Sequence, residues 1–287
     1  MQVTPDLSYF RTRMRLSFSS LNSGSNGNCY YVGNDHDAVL IDAGISCREI
    51  EKRIKRLGLS MDAVRAIFVT HEHSDHITGI EGLCRKYRFP LYITTATLKA
   101  SGITVKPELV QTFSPHQAVP VGSLSVTPFP KFHDATDPHS FVVSGRGTTV
   151  GVFTDIGHAC KQVTDYFRRC NAVFLEANYC EAMLAEGRYP WFLKSRISSE
   201  SGHLSNHQAL NLFLSHRGPR LTHLVLSHLS QNNNRPEIVQ QLFAPHTDSI
   251  QLVVASRHSE SALFSVADDE RHAVPALTPV FQQLSLF

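Results

Sequence analysis

The chain has 287 residues, 42% hydrophobic and 18% charged, enough to bury a large core in one big or two modest domains. Its net charge of +2 does not by itself make a nucleic-acid binder, and no run of about 18 apolar residues offers a membrane span. The opening MQVTPDLSYFRTRMRLSF lacks an apolar signal core, and the six cysteines form no C-x-x-C pair. A cytoplasmic chain with reduced, partly buried thiols is expected.

Residues 1–13 read as an N-terminal extension, with Met14 an alternative start directly before a strand pattern. Residues 15–44 read as short strands broken by Gly, Ser and Asn turns. An amphipathic helix is predicted over 47–58, where Ile50, Ile54 and Leu57 recur among charges. The run AIFVT (66–70) is a strand, followed by H-E-H-S-D-H and a helix-like stretch through Tyr87. Further strands are expected at 91–95, 124–129, 140–145, 149–155, 171–178, 222–228 and 250–256. A helix is expected at 205–216, with Ser205 or Asn206 as its N-cap. Two runs of strands, each followed by helices, predict an α+β fold: two packed sheets with helices outside, in one unit over 14–266. After Val266 the charged and Pro-containing texture is that of a linker, so 267–287 reads as a linker carrying a closing peptide.

His71, His73, Asp75 and His76 place four potential ligands within six residues, directly after a strand. Residues i and i+2 of an extended segment point the same way, so His71 and His73 can share one ion, while Asp75 and His76 reach a second. Imidazole and carboxylate suit Zn²⁺ first, with Mn²⁺ or Fe²⁺ as alternatives. His133, Asp155 and His228 each follow an apolar run, which can gather them along one edge of a sandwich.

The H-x-H-x-D-H pattern, with the later His, Asp and His in the same order, resembles the metallo-β-lactamase superfamily. LIDAG with Asp42 resembles that superfamily's first motif. The resemblance implies an αββα sandwich of two mixed sheets and two divalent ions. It gives one ion to His71, His73 and His133 and the other to Asp75, His76 and His228, with Asp155 bridging and Asp42 supporting a ligand. Two ions about 3.5–4 Å apart would acidify a shared water, which Asp75 would orient for attack. The segments NSGSNGN, FHDATDP, RISSESGHLSN and LSHLSQNNNRPE resemble the YycJ/WalJ-like branch, which is similar to DNA exonucleases. That resemblance matches His203 to a histidine that contacts phosphate or acts as general acid; otherwise it merely flanks a helix. His139 stands where related sequences carry an aliphatic residue and is not expected to be a ligand.

Other residues leave two readings open. His158 lies close to Asp155 and either supports a ligand or does not. Ser25 and Asn26 either present groups to the site or only make a turn. Trp191 either stacks on a base beside phosphate contacts from Lys194 and Arg196, or packs in the core. The expected function is a dinuclear phosphodiesterase, a DNA exonuclease in replication-linked repair. The alternatives are a small-molecule phosphodiester, lactone or thioester hydrolase, and a non-catalytic regulatory protein stabilised by metal. The last five residues, Gln283, Leu284, Ser285, Leu286 and Phe287, resemble the short peptide by which bacterial replication proteins bind the sliding clamp. A final strand or self-packing segment is the alternative.

Overall fold

The computed structural model describes residues 15–267. The expected extension over 1–13 and the peptide Gln283–Phe287 lie outside the described residues. The first half of the chain supplies strands β1 (Leu16–Asn22), β2 (Cys29–Gly33), β3 (Ala38–Ile41), β4 (Val64–Phe68), β5 (Leu91–Tyr92) and β6 (Val110–Gln111). The second half supplies β7 (Val119–Val121), β8 (Leu124–Pro130), β9 (His139–Gly145), β10 (Thr148–Phe153), β11 (Ala172–Glu176), β12 (His223–Ser227) and β13 (Gln251–Val254). A last strand, β14 (Phe264–Val266), returns to pair antiparallel with β1. One sheet runs β14-β1-β2-β3-β4-β5-β6 and the other β13-β12-β11-β10-β9-β8-β7.

The period of two along each strand builds the layers. In β3, Val39 and Ile41 enter the apolar core between the sheets, while Ala38 and Leu40 enter a second core under helices. In β11, Ala172 and Phe174 face the inter-sheet core, while Val173 and Leu175 face a third core. Strands covered on both faces read as continuous apolar runs, which is why they were legible without alternation. Helices α1 (Cys47–Arg56) and α3 (Ile80–Tyr87) cover the first sheet. Helices α5 (Lys161–Phe167), α8 (Asn206–His216) and α9 (Pro236–Phe243) cover the second. This is the expected αββα sandwich.

Local chemistry sets the boundaries. The Ser46 hydroxyl caps α1 by accepting from Glu49 N, and Ser205 with Gln208 forms a full capping box on α8. The strand expected at 91–95 stops at Tyr92, because the Thr94 hydroxyl accepts from Thr97 N and opens helix α4 (Thr95–Ser101). The helix expected after H-E-H-S-D-H is two: α2 (Ser74–Ile77), then α3 beyond Gly79. All six cysteines are free, and Cys29, Cys84 and Cys170 are buried.

Strands β3 to β6 run parallel to one another, and so do β10 to β13. Their carboxyl ends therefore emerge at shared edges, where a ligand can meet several loops at once.

Candidate metal centre

The H-E-H-S-D-H segment leaves β4 and turns at once into α2, with Asp75 and His76 in its single turn. Gly44 packs directly beneath it. A Cβ there would sit 1.7 Å from the Asp75 carbonyl oxygen, so only glycine lets the two backbones meet. Asn28 N also donates to that carbonyl at 2.7 Å. The loop is thus held by its backbone, and its side chains stay available.

Four of the five imidazoles, all but His73, are anchored through Nδ1 and turn Nε2 toward the cluster. The Thr70 hydroxyl donates to Asp42 Oδ2 at 2.8 Å and accepts from His71 Nδ1 at 2.8 Å, leaving His71 Nε2 3.0 Å from His73 Nδ1. His76 Nδ1 donates to Asp42 Oδ2 at 2.7 Å, and His133 Nδ1 to the Gly202 carbonyl at 3.0 Å. His228 Nδ1 donates to Glu176 Oε1 at 2.9 Å. Such partners fix a ring's tautomer and aim its free nitrogen.

Asp42, Asp155 and His228 share a further property: each follows the carboxyl end of its strand with a positive φ, of 61°, 55° and 56°. A left-handed residue at a strand end turns its side chain off the strand's line. For non-glycine residues this costs of order 1 kcal/mol or more each, a strain that concentrates at functional sites.

The presented atoms converge. His71, His73 and His133 form one group with ligand atoms within 4.8 Å of one another, and Asp75, His76 and His228 form another. Asp155 lies between them, with Oδ2 3.3 Å from His76 Nε2 and Oδ1 3.8 Å from His133 Nε2. His133 Nε2, His228 Nε2 and Asp155 Oδ2 are buried without any hydrogen-bond partner. Unpaired buried polar atoms are costly and rare, and three at one point fit a bound cation.

The electrostatics agree. Burial keeps His71 neutral, its pKa well below the ordinary value, and pushes His133 down to about 4 despite Asp155. Burial opposes charge on Asp155 as well, yet His228, His76 and Lys131 outweigh it and hold the carboxyl well below its usual range. For His76, burial is overcome by Asp42, Asp155 and Asp75, which raise its pKa; for His228, burial is likewise overcome by the nearby carboxylates of Asp155, Asp75 and Glu176, which raise it strongly.

Residues 37–228 match the family described as "Beta-lactamase superfamily domain". The exodeoxyribonuclease YycJ of Bacillus anthracis is 35% identical over 232 residues, 79% of this chain and 87% of that protein. The chain belongs to the metallo-β-lactamase superfamily. The exodeoxyribonuclease WalJ of Streptococcus pneumoniae is 31% identical over 226 residues, 77% of this chain and 84% of that one. Among solved structures, the metallo-β-lactamase fold protein YhfI of Bacillus subtilis superposes with a TM-score of 0.67 at 14% identity, covering 88% of this chain and all of YhfI.

Around this superfamily's metal edge, two residues that sequence alone does not single out complete the site. Glu176 ends β11 with no exposed surface, and its Oε1 accepts from His203 Nδ1 at 2.8 Å as well as from His228. Its Oε2 accepts from the backbone N–H groups of Ile156 and Leu204. Burial works against this charge, but His203 and His228 hold the carboxyl down at about 2. The available signal was a carboxylate closing the apolar run AVFLE, the same signal that marks Asp155. Lys131 is the second. It is buried after β8 and donates to the Thr154 carbonyl at 2.8 Å, with burial lowering its pKa against the pull of Asp155 and Asp42.

The cleft above the cluster, about 230 Å³, is lined by Ser25, His73, Asp75, Asp155, His203, His228 and helix α7 (Trp191–Ile197) through Leu193, Arg196 and Ile197. Arg196 pairs with Asp134 there. Asn26 instead donates to the Arg257 carbonyl at 2.8 Å. Trp191 is 80% exposed, which settles the core-packing alternative against it, and it lines a neighbouring groove with Lys194. His158 contacts the Glu200 carbonyl and the Phe132 ring, outside the ligand groups. His139 is likewise outside them, packed on Phe113.

Proposed function

We propose that this chain is a metal-dependent phosphodiesterase that shortens DNA from an end, acting in the cytoplasm during replication-linked repair. The observation that carries the reading is the convergence of seven potential ligands with three buried, unpartnered ligand atoms. The two relatives named exodeoxyribonuclease support nucleic acid as the substrate.

His71, His73 and His133 would hold one divalent ion and Asp75, His76 and His228 a second, with Asp155 shared. Zn²⁺ fits these donors best, with Mn²⁺ or Fe²⁺ also suited. Such a pair, when bound, supplies Lewis acidity and an acidified water for attack at phosphorus. The chain's own residues do the rest. Asp75 Oδ2, held by the Asn28 side-chain amide at 3.2 Å, accepts a proton from the attacking water and orients it. His203, with Nδ1 committed to Glu176, offers its other nitrogen to the cleft and donates a proton to the leaving oxygen. Glu176 fixes the orientation of the His203 ring and stiffens His228 through the same oxygen. Arg196 and Ser25 line the path of the phosphate backbone.

The closing QLSLF is a tether to the sliding clamp, with Leu286 and Phe287 as apolar anchors and Gln283 at the groove's edge. End-labelled duplex DNA incubated with metal-loaded protein tests the activity. A ladder of shortened products is expected, reduced at least a hundredfold in Asp75→Ala and His76→Ala; equal activity in wild type and variants would remove the assignment.

A further inference from the structure

Beside the metal cleft lies a second cavity of about 510 Å³, large enough for a nucleotide. The two share a wall at Ser230. Ser23, also on this cavity, accepts the backbone N–H of His228 at 2.7 Å, so a ligand here sits one residue from a candidate metal ligand.

The cavity is cationic. Arg235 and Arg257 line it, and no Asp or Glu does. Arg257 is anchored from behind: Nη2 donates to the Leu229 carbonyl at 2.7 Å and Nη1 to Gln231 Oε1 at 3.0 Å. The side chain is therefore preorganised, with Nε–H left to donate. Arg235 is exposed at the start of α9, and its guanidinium has no partner among the described residues. Two arginines without a neighbouring carboxylate match a terminal phosphate monoester, which carries close to two negative charges, better than an internal diester with one.

We propose that this cavity receives the terminal nucleotide of a polynucleotide strand, its terminal phosphate paired with Arg235 and Arg257. The first phosphodiester bond then lies over the metal edge, which sets the cut close to the end. This inference rests on the phosphodiesterase reading for its meaning, but its test is independent of catalysis.

The test measures binding of fluorescein-labelled single strands of about ten nucleotides to full-length, metal-chelated protein by anisotropy. Strands carrying a 5′-phosphate, a 3′-phosphate or only hydroxyl ends are compared. Wild type is expected to bind one phosphorylated end about tenfold more tightly than hydroxyl ends, the worth of an arginine–phosphate contact. The arm that shows it names the end. The preference should vanish in R235E and R257Q and return in R235K, which keeps the charge. Equal affinity for all three strands in wild type, or a preference that survives in R235E and R257Q, overturns the proposal. If the end preference holds but metal-loaded wild type leaves end-labelled duplex DNA intact, the pocket stands and the catalytic reading falls.

Discussion

At the scale of single residues, the site depends on what stands behind each ligand. Glu176 anchors His203 and His228 through one oxygen and two backbone N–H groups through the other. In Glu176→Gln, an amide NH₂ must face either those backbone donors or the imidazole N–H groups, so one set is left unsatisfied. Loss of such an outer partner costs roughly 10–100-fold in activity or metal affinity. Steady-state kinetics and metal content of the variant should show that loss, whereas wild-type values would deny Glu176 its role. His76 and His228 give a second prediction. Their raised pKa values mean that, in the metal-free protein, both contribute stability that is present at acidic pH and is lost as pH rises through those values. Metal needs the same nitrogens unprotonated, so metal and protons compete. The metal-induced rise in melting temperature should therefore be larger at about pH 9 than at about pH 6. Melts with and without metal check this, and equal shifts at both pH values would contradict it. The candidate ligands were legible because they form a dense motif or close apolar runs. Glu176 closes such a run too, but no local pattern says that residue 176 shares the inter-sheet side with Phe174 and meets two histidines from distant segments.

At the scale of elements, the strands were readable and their ends were not. Continuous runs such as AVLI and AVFL announce strands covered on both faces. The left-handed turns at Asp42, Asp155 and His228 carry only a weak sequence mark, since aspartate and histidine are enriched at positive φ but adopt it far less readily than glycine. Helix α7 was ambiguous for a similar reason: a lone tryptophan suits a core or a surface equally, and only the packing shows Trp191 and Phe192 turned outward, at 80% and 69% exposure. An exposed aromatic beside Lys194 offers a stacking face for a base. Trp191→Ala should leave stability within about 0.5 kcal/mol of wild type. It should raise KM for oligonucleotides about tenfold with little change in kcat, reflecting the roughly 1–3 kcal/mol of one stacked base. Kinetics on oligonucleotides decide it, and an unchanged KM would return Trp191 to an idle surface residue.

At the scale of the whole molecule, parallel strands in both sheets bring the loops of distant segments to one edge, and the metal cluster, the cleft and the cationic cavity lie side by side there. The sandwich was legible from the order of strand and helix patterns and from the motif's likeness to its superfamily. The adjoining cavity was not, because Arg235 and Arg257 are ordinary surface cations until the fold places both on the walls of one cavity with Ser230. Deletion of residues 283–287 should abolish binding to the sliding clamp while leaving shortening of short linear DNA intact; unchanged clamp affinity in a pull-down or calorimetric titration would remove the tether. The proposed activity requires a dinuclear metal edge that cuts DNA. The most direct measurement titrates divalent metal back into chelated protein while following shortening of end-labelled duplex DNA. No product is expected before metal is added, and activity should saturate at about two equivalents per chain. Full activity in the presence of chelator, or metal-saturated protein that leaves the duplex intact, would contradict it.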